Sequence, residues 1–348
     1  MQHSKANNQA GFSLIELMVA LGVMLVVVGA VFSLVKDSMK VSLATHELTD
    51  AQESVRIAHE FLTRDLTNVG DGLNSISNIR VTSSFVSNYL STNSSIDLTH
   101  FGMITSDDDV PVGTSIPQPS PSPATTIRST PALTDRISIL EADANFTPIT
   151  PVSIDPSGSA ITVSLADANT VAAGEIYFLT SSLGATFGTI TSKAGSGATR
   201  QLNFASGDIY GLNVPGIGGQ IYTVSAGGTV PTSLVRMQII HYYVNSSGLL
   251  MRRVFGVKGA GFKEAPIAEH IIGLRFRYIL TDANGNVGQP VAQIDSSQQT
   301  ATRQVEVTVT AETPHSIGIQ QNNGQATLSM TSSISIRNMQ FKRALQPS

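Results

Sequence analysis

The 348-residue chain has no cysteine, so disulfide frameworks, thiolate zinc sites and cysteine nucleophiles are all excluded. It also has no tryptophan, and charged residues make up only 13% of it, about half the share usual in a soluble domain. Ser, Thr, Asn, Gly and Gln supply the polarity instead, which suits an exported β protein better than a cytosolic enzyme. The net charge of -4 disfavours general binding to polyanions, and nucleic acid is not an expected partner. Proline is absent from residues 12 to 69, so nothing there forbids a long helix.

What is present begins with that stretch. Residues 12–35 are apolar except for Ser13, Glu16 and Ser33. As a helix they span about 36 Å, enough for a hydrocarbon core of about 30 Å. A secretory signal fits poorly, because its apolar region is only about 7–15 residues long and ends at small residues. A plain membrane anchor fits the length but gives no reason for Glu16, whose charge would cost up to about 3 kcal/mol at the centre of a bilayer.

After Lys36, Asp37 and Lys40, apolar residues recur at Val41, Ala44, Leu48, Ala51, Val55, Ala58, Leu62, Leu66 and Val69. Those steps of three and four form a helical stripe, and Gly70 and Gly72 supply the stop. The spacing predicts one helix over residues 12–69, about 87 Å long. Its first part is greasy all round and its second is amphipathic.

The short leader ending in Gly11, followed by Phe12, Ser13, Leu14, Ile15, Glu16 and Leu17, resembles the class III signal of type IV pilin-like proteins. The resemblance implies that a prepilin peptidase cuts between Gly11 and Phe12 and methylates the new amino terminus of Phe12. It also implies that Glu16 meets the charged terminus of a neighbouring subunit, a pairing that removes much of the cost of burying both charges. A helix-kinking proline, common in the apolar segment of major pilins, is missing; Gly22, Gly29 and Ser33 stand there instead.

Beyond Gly72 the pattern turns strand-like. Strands are expected at Arg136–Leu140, Ile161–Leu165, Glu175–Leu179, Gln220–Val224, Val235–Val244, Leu249–Phe255, Ile271–Ile279, Gln304–Thr310 and Ala326–Arg337, with a hairpin turn at Asn245–Gly248. Arg64-Asp65-Leu66 leading to Gly70 is similar to the helix end of minor pilins of the PilW kind and pseudopilins of the GspJ/PulJ kind. The segments VRMQIIHYYV, LLMRRV, IIGLRFRYIL and VEVTVTAET, closing on Arg337-Asn338, follow the order of that family's last hairpins. The likeness covers about residues 1–72 and 232–340.

The expected fold is therefore α+β and pilin-like: a long N-terminal transmembrane and amphipathic helix packed on a mainly antiparallel β head. The expected division is a leader at 1–11, the helix at 12–72 (12–35 in the membrane) and a head at 73–348. Six prolines between 111 and 131 mark an exposed Pro/Ser-rich loop, around which a split into two lobes is conceivable.

No constellation supports an enzyme. The seven histidines stand at no metal-ligand spacing and read as structural. Asp107–Asp109 and the Asp282/Asn284/Asn286 loop have a faint calcium look but lack the downstream bidentate acid, so solvated acids and a hairpin turn explain them. GVKGAGFK at 256–263 places Phe262 where a phosphate loop needs lysine. Arg252, Arg253, Lys258 and Lys263 read as a solvated basic face, and no cofactor is expected.

The resemblance implies a minor pilin that helps initiate type IV pilus assembly at or near the filament tip. The alternatives are a minor pseudopilin of a type II secretion system and a tip adhesin or DNA-capture module. Expected partners are a prepilin peptidase, other minor and major pilins or pseudopilins, and inner-membrane lipid before assembly. The expected location is the bacterial inner membrane, N-terminus cytoplasmic and head periplasmic, then the pilus or pseudopilus.

Overall fold

The computed structural model describes residues 12–70, 79–85, 102–111, 114–116, 125–126, 134–258, 261–282, 284–295, 298–317 and 324–336. The leader with Gly11, Gly72, most of the 111–131 stretch, and Arg337-Asn338 lie outside the described residues. One helix, Leu14–Thr67, runs 54 residues, close to the span that its spacing predicts. A mostly antiparallel β-rich head follows it.

The chain divides into two compact units. One holds residues up to Asp50 together with Thr313–Ala326. Here every large apolar side chain from Phe12 to Leu43 is exposed, Val41 included at 67%. The stripe begins at Val41, but its fully buried part starts later. In the same unit Glu47 is buried and accepts hydrogen bonds from His315, from Nδ1 at 2.8 Å and from the backbone N–H at 3.2 Å. Burial alone would raise the Glu47 carboxyl; the bonds from His315 outweigh it and hold it below its ordinary value.

The other unit holds Ala51–Glu312 and the chain from Thr327 onward. From Ala51 the stripe is fully covered: Ala51, Val55, Ala58, Leu62, Leu66 and Val69 are at most 2% exposed. They join Ile104, Ile137, Ile239, Leu274, Val305 and Val307 in one core. An eight-stranded sheet supplies one part of that core. Its path runs Ile79–Arg80, Gly184–Thr189, Ile176–Ser181, Ser233–Val244, Leu250–Val257 and Gly261–Ala268. Thr134–Ala142 also pairs with Ser233–Val244, and Ile104–Val110 pairs with Thr134–Ala142. A three-stranded sheet of Ile271–Leu280, Thr302–Glu312 and Thr327–Ser335 supplies another part. The Asn245–Gly248 turn falls where expected, with Asn245 N–H donating to Leu249 O at 2.9 Å.

A second, smaller lobe is built from chain that falls in sequence between Thr134–Ala142 and Ser233–Val244. Its sheet orders Ser192–Ala194, Thr199–Asn203, Ala160–Ser164 and Ser153–Ile154. A separate core of Phe146, Ile161, Val163, Tyr177, Leu202 and Phe204 fills it. The strand expected at Gln220–Val224 is instead a helix, Gln220–Ser225. Ile221, Val224 and Ser225 are its buried residues, a spacing of three and four that the β-branched composition of this short run masks.

The helix ends on a charged joint. Asp65, 2% exposed, receives Arg252 Nε at 2.6 Å and Tyr242 OH at 2.6 Å, with Arg64 Nε at 2.9 Å on its other oxygen. Gly70 then turns at φ +72° and donates its N–H to Leu140 O at 3.0 Å. Glycine suits that φ, and a Cβ there would sit 2.3 Å from Met103 Sδ, so a larger residue would also have to push the methionine aside. Arg252 is therefore a half-buried partner of Asp65, and Arg253 is wholly buried, with Nε 2.9 Å from Glu264 and the guanidinium over the Phe262 ring. The expectation of a solvated basic face is corrected for both, because Asp65 on the helix and Glu264 on the paired strand neutralise them.

Glu141 lies beside this joint. Burial, and then the Asp65 charge, push its carboxyl from 4.5 up to about 7. A folded-state pKa above the unfolded value means that the unfolded chain ionises first. Stability is therefore lost as pH rises from about 4.5 to about 7. Glu141→Gln is expected to stabilise the head at pH 8 by about 1–2 kcal/mol, after a discount for partial solvent screening, and to change nothing at pH 4. Urea unfolding at the two pH values checks this; an equal effect at both would refute the assignment.

Candidate functional site: the exposed N-terminal helix end

The predicted site residues that the structure describes are Phe12 and Glu16; Gly11 lies outside them. Phe12 is 87% exposed and precedes the first helical residue, Leu14. Ser13 occupies the N-cap position. Its hydroxyl accepts the Glu16 N–H at 3.4 Å, and Glu16 Oε2 accepts the Ser13 N–H at 3.1 Å. This reciprocal pair is a capping box, which satisfies two of the donors that a helix start leaves open. It also sets the Glu16 charge at the positive end of the helix dipole.

Sequence reasoning treated Glu16 only as a partner for another subunit and missed Ser13. The Ser-x-x-Glu spacing was the signal that could have shown it. The helix runs unbroken through Gly22 and Gly29, around whose absent Cβ atoms nothing lies within 4 Å. By length and composition it can cross a membrane, and none of its most apolar window is buried.

The other candidate groups resolve differently. Asp107 was expected among solvated acids, yet it sits in the Ile104–Val110 strand, 4% exposed, and accepts Arg136 Nε at 2.5 Å. Asp108, Asp109 and Asp135 bring carboxylate oxygens within 4.8 Å of one another. Two arginines face them: Arg277 is 2.8 Å from Asp108, and Arg275 pairs with Asp109 and lies 3.6 Å from both Asp108 and Asp135. Burial pushes Asp135 up to about 6, against the hydrogen bonds it accepts from the Asp109 and Phe276 N–H groups. With two cations already in place, the cluster works as a joint between strands. The Asp282 carboxylate accepts the N–H groups of Asn284 and Asn286 at 2.9 and 2.8 Å, as a hairpin turn requires. His59 bonds Met330 O and Ser332 Oγ, both at 2.9 Å, a structural role.

Against this geometry the comparisons with known proteins can be set. Residues 6–32 match the family model of the prokaryotic N-terminal methylation motif. No curated protein matches the chain. Among solved structures, a type IV-like pilin from Thermus thermophilus is similar at 12% identity, covering 49% of this chain and 87% of that one, with a TM-score of 0.21. A TM-score that low carries nothing of that protein's architecture over. The motif itself supports a pilin or pseudopilin. It implies processing by a prepilin peptidase and assembly with other pilins, and with the apolar helix it fits membrane anchoring followed by a pilus.

The capping box makes a local prediction. Ser13→Ala removes one acceptor from the first turn and is expected to cost about 1 kcal/mol there. In detergent, hydrogen exchange of the Glu16 and Leu17 amides should quicken by roughly fivefold while the amides of 55–66 stay unchanged. Unchanged exchange at Glu16 would mean that the box is not formed in the isolated chain.

Proposed function

We propose that this chain is a minor pilin that helps initiate a type IV pilus and sits at or near its tip, after cleavage between Gly11 and Phe12 and methylation of the Phe12 amine. The observation that carries the reading is the continuity of three features. The methylation motif at residues 6–32 runs into a 54-residue helix, and none of that helix's most apolar window is buried among the described residues. Before assembly, the helix lies in the inner membrane with the leader in the cytoplasm and the head in the periplasm. Burial of residues 12–35 against neighbouring helices then draws the chain from lipid into the filament.

Glu16 gives that transfer its register. Capped by Ser13, it already holds its charge at the helix end, and the methylated amine of a neighbouring subunit supplies the opposite charge in a medium where water cannot. Two lobes make a bulky head, which suits a tip position because no subunit stacks above it. The same bulk favours a pilus over a secretion pseudopilus. The role is structural, and no step of it requires catalysis by this chain.

Glu16→Ala removes the pairing partner and leaves the apolar helix intact. Filament number, or incorporation of this chain, is expected to fall by at least about tenfold, the effect of about 1.4 kcal/mol or more per subunit contact. Glu16→Gln, which keeps a capping group but no charge, should also fail to restore assembly. Wild-type filaments with either variant would show that the carboxylate does not set register.

A further inference from the structure

In the three-stranded sheet, Thr327–Ser335 runs beside Thr302–Glu312 for nine consecutive pairs without a bulge. The phase of the ladder is set by its ends. Ile336 N–H donates to Arg303 O at 3.1 Å, and Thr313 N–H donates to Ala326 O at 2.8 Å. Bonded and non-bonded positions alternate in an antiparallel pair. Leu328, Met330, Ser332 and Ile334 therefore turn their N–H and C=O groups inward, and Thr327, Ser329, Thr331, Ser333 and Ser335 turn theirs outward. The side chains agree with this phase. Thr308 and Thr331 hydroxyls meet at 2.8 Å, and Thr310 and Ser329 hydroxyls at 2.5 Å, across the wide pairs where side chains come closest.

Natural sheets blunt such edges with short strands, charges, prolines or bulges. This chain does so elsewhere. Gly261–Ala268 carries Lys263, Glu264 and Pro266 and has register shifts. Ile79–Arg80, Ser192–Ala194 and Ser153–Ile154 are two or three residues long. Ile271–Leu280 is met at Tyr278 by Val291. On Ile104–Val110, the Gln299 amide takes both the N–H and the C=O of Ile104, at 3.1 and 2.7 Å. Thr327–Ser335 (TLSMTSSIS) has no charge, no proline and no bulge, and Ser329, Thr331 and Ser333 are exposed. Among the described residues no strand pairs with its outer side. His59 fixes it from within, through Met330 O and Ser332 Oγ.

We propose that this outer edge is a docking site for an extended, uncharged strand of a neighbouring, non-identical subunit, which adds to the sheet through the outward N–H and C=O groups of Ser329, Thr331 and Ser333. Main-chain bonds supply the affinity in this mode of recognition. A second copy of this chain fits the site poorly. Among the described residues its other edges are blunted or two residues long, so these residues offer only the same edge, and like edges join as a closed two-fold pair, whereas a filament needs head-to-tail contacts. The inference rests on the pilin-like reading above, because that reading supplies the neighbour.

The test compares full-length processed chain in detergent with the same chain in sheared filaments, by hydrogen exchange. The Ser329, Thr331 and Ser333 amides should exchange at least about 100-fold more slowly in the assembly. Thr331→Pro deletes one outward main-chain donor and no inward main-chain bond, and should cut incorporation by about tenfold or more; Thr331→Val, which likewise lacks the hydroxyl that meets Thr308, should incorporate normally. Retained protection of Val305, Val307 and Val309 in detergent shows that Thr331→Pro still folds; if it does not, the exchange comparison on the unaltered chain decides. Equal exchange in the two states, or normal incorporation of a folded Thr331→Pro chain, overturns the edge proposal and leaves the pilin reading standing. A Thr331→Cys disulfide dimer in cells that make no other pilin overturns the choice of occupant. A chain that never enters an assembly overturns both readings.

Discussion

Everything in this molecule depends on apolar helix that the described residues leave uncovered. From Phe12 to Leu43 each large apolar side chain is exposed. At about 25 cal/mol per Å² of apolar surface, that stretch cannot remain in water. Lipid or other helices must cover it, and a carboxylate at its start is tolerable only where hydrogen bonds or an opposite charge accompany it. The methylation motif over residues 6–32 is consistent with both demands.

The same helix changes solvent partway along. From Ala51 its stripe lies in the main core, and at Asp65 its far end is fixed by Arg252 and Tyr242 from paired strands. Such a joint costs desolvation and gives geometry in return: a buried carboxylate accepts only donors in the right places. The nearby Glu141, raised toward neutrality, shows how little further negative charge this corner accepts. The Asp135 cluster ties Phe276 to the neighbouring strands in the same manner.

Much of the fold was legible in the residues. A period of three and four over residues 41–69, without proline, specifies a helix with one covered face, and the Gly70 stop follows from its left-handed turn. Alternating β-branched runs between turn residues placed most of the longer strands. Short-range patterns failed where the deciding contact is distant. Asp65 meets Arg252 at 187 positions' separation, and nothing local marks either residue as buried. Ile104–Val110 carries three consecutive acids and reads as solvated until Arg136, Arg275 and Arg277 are seen around it. Gly184–Thr189 has too many small residues to announce a strand, and Gln220–Ser225 has too few residues to announce a helix. Ser13 was readable but overshadowed by the single charge of Glu16.

One measurement tests the central claim most directly: the mass of the N-terminal peptide of chain extracted from membranes. The account predicts a chain that begins at Phe12 with a methylated amine, and a retained leader when Gly11 is changed to arginine. An unaltered chain that keeps residues 1–11, or one cut near residue 35, would contradict it and leave an ordinary anchor or a secreted head in its place.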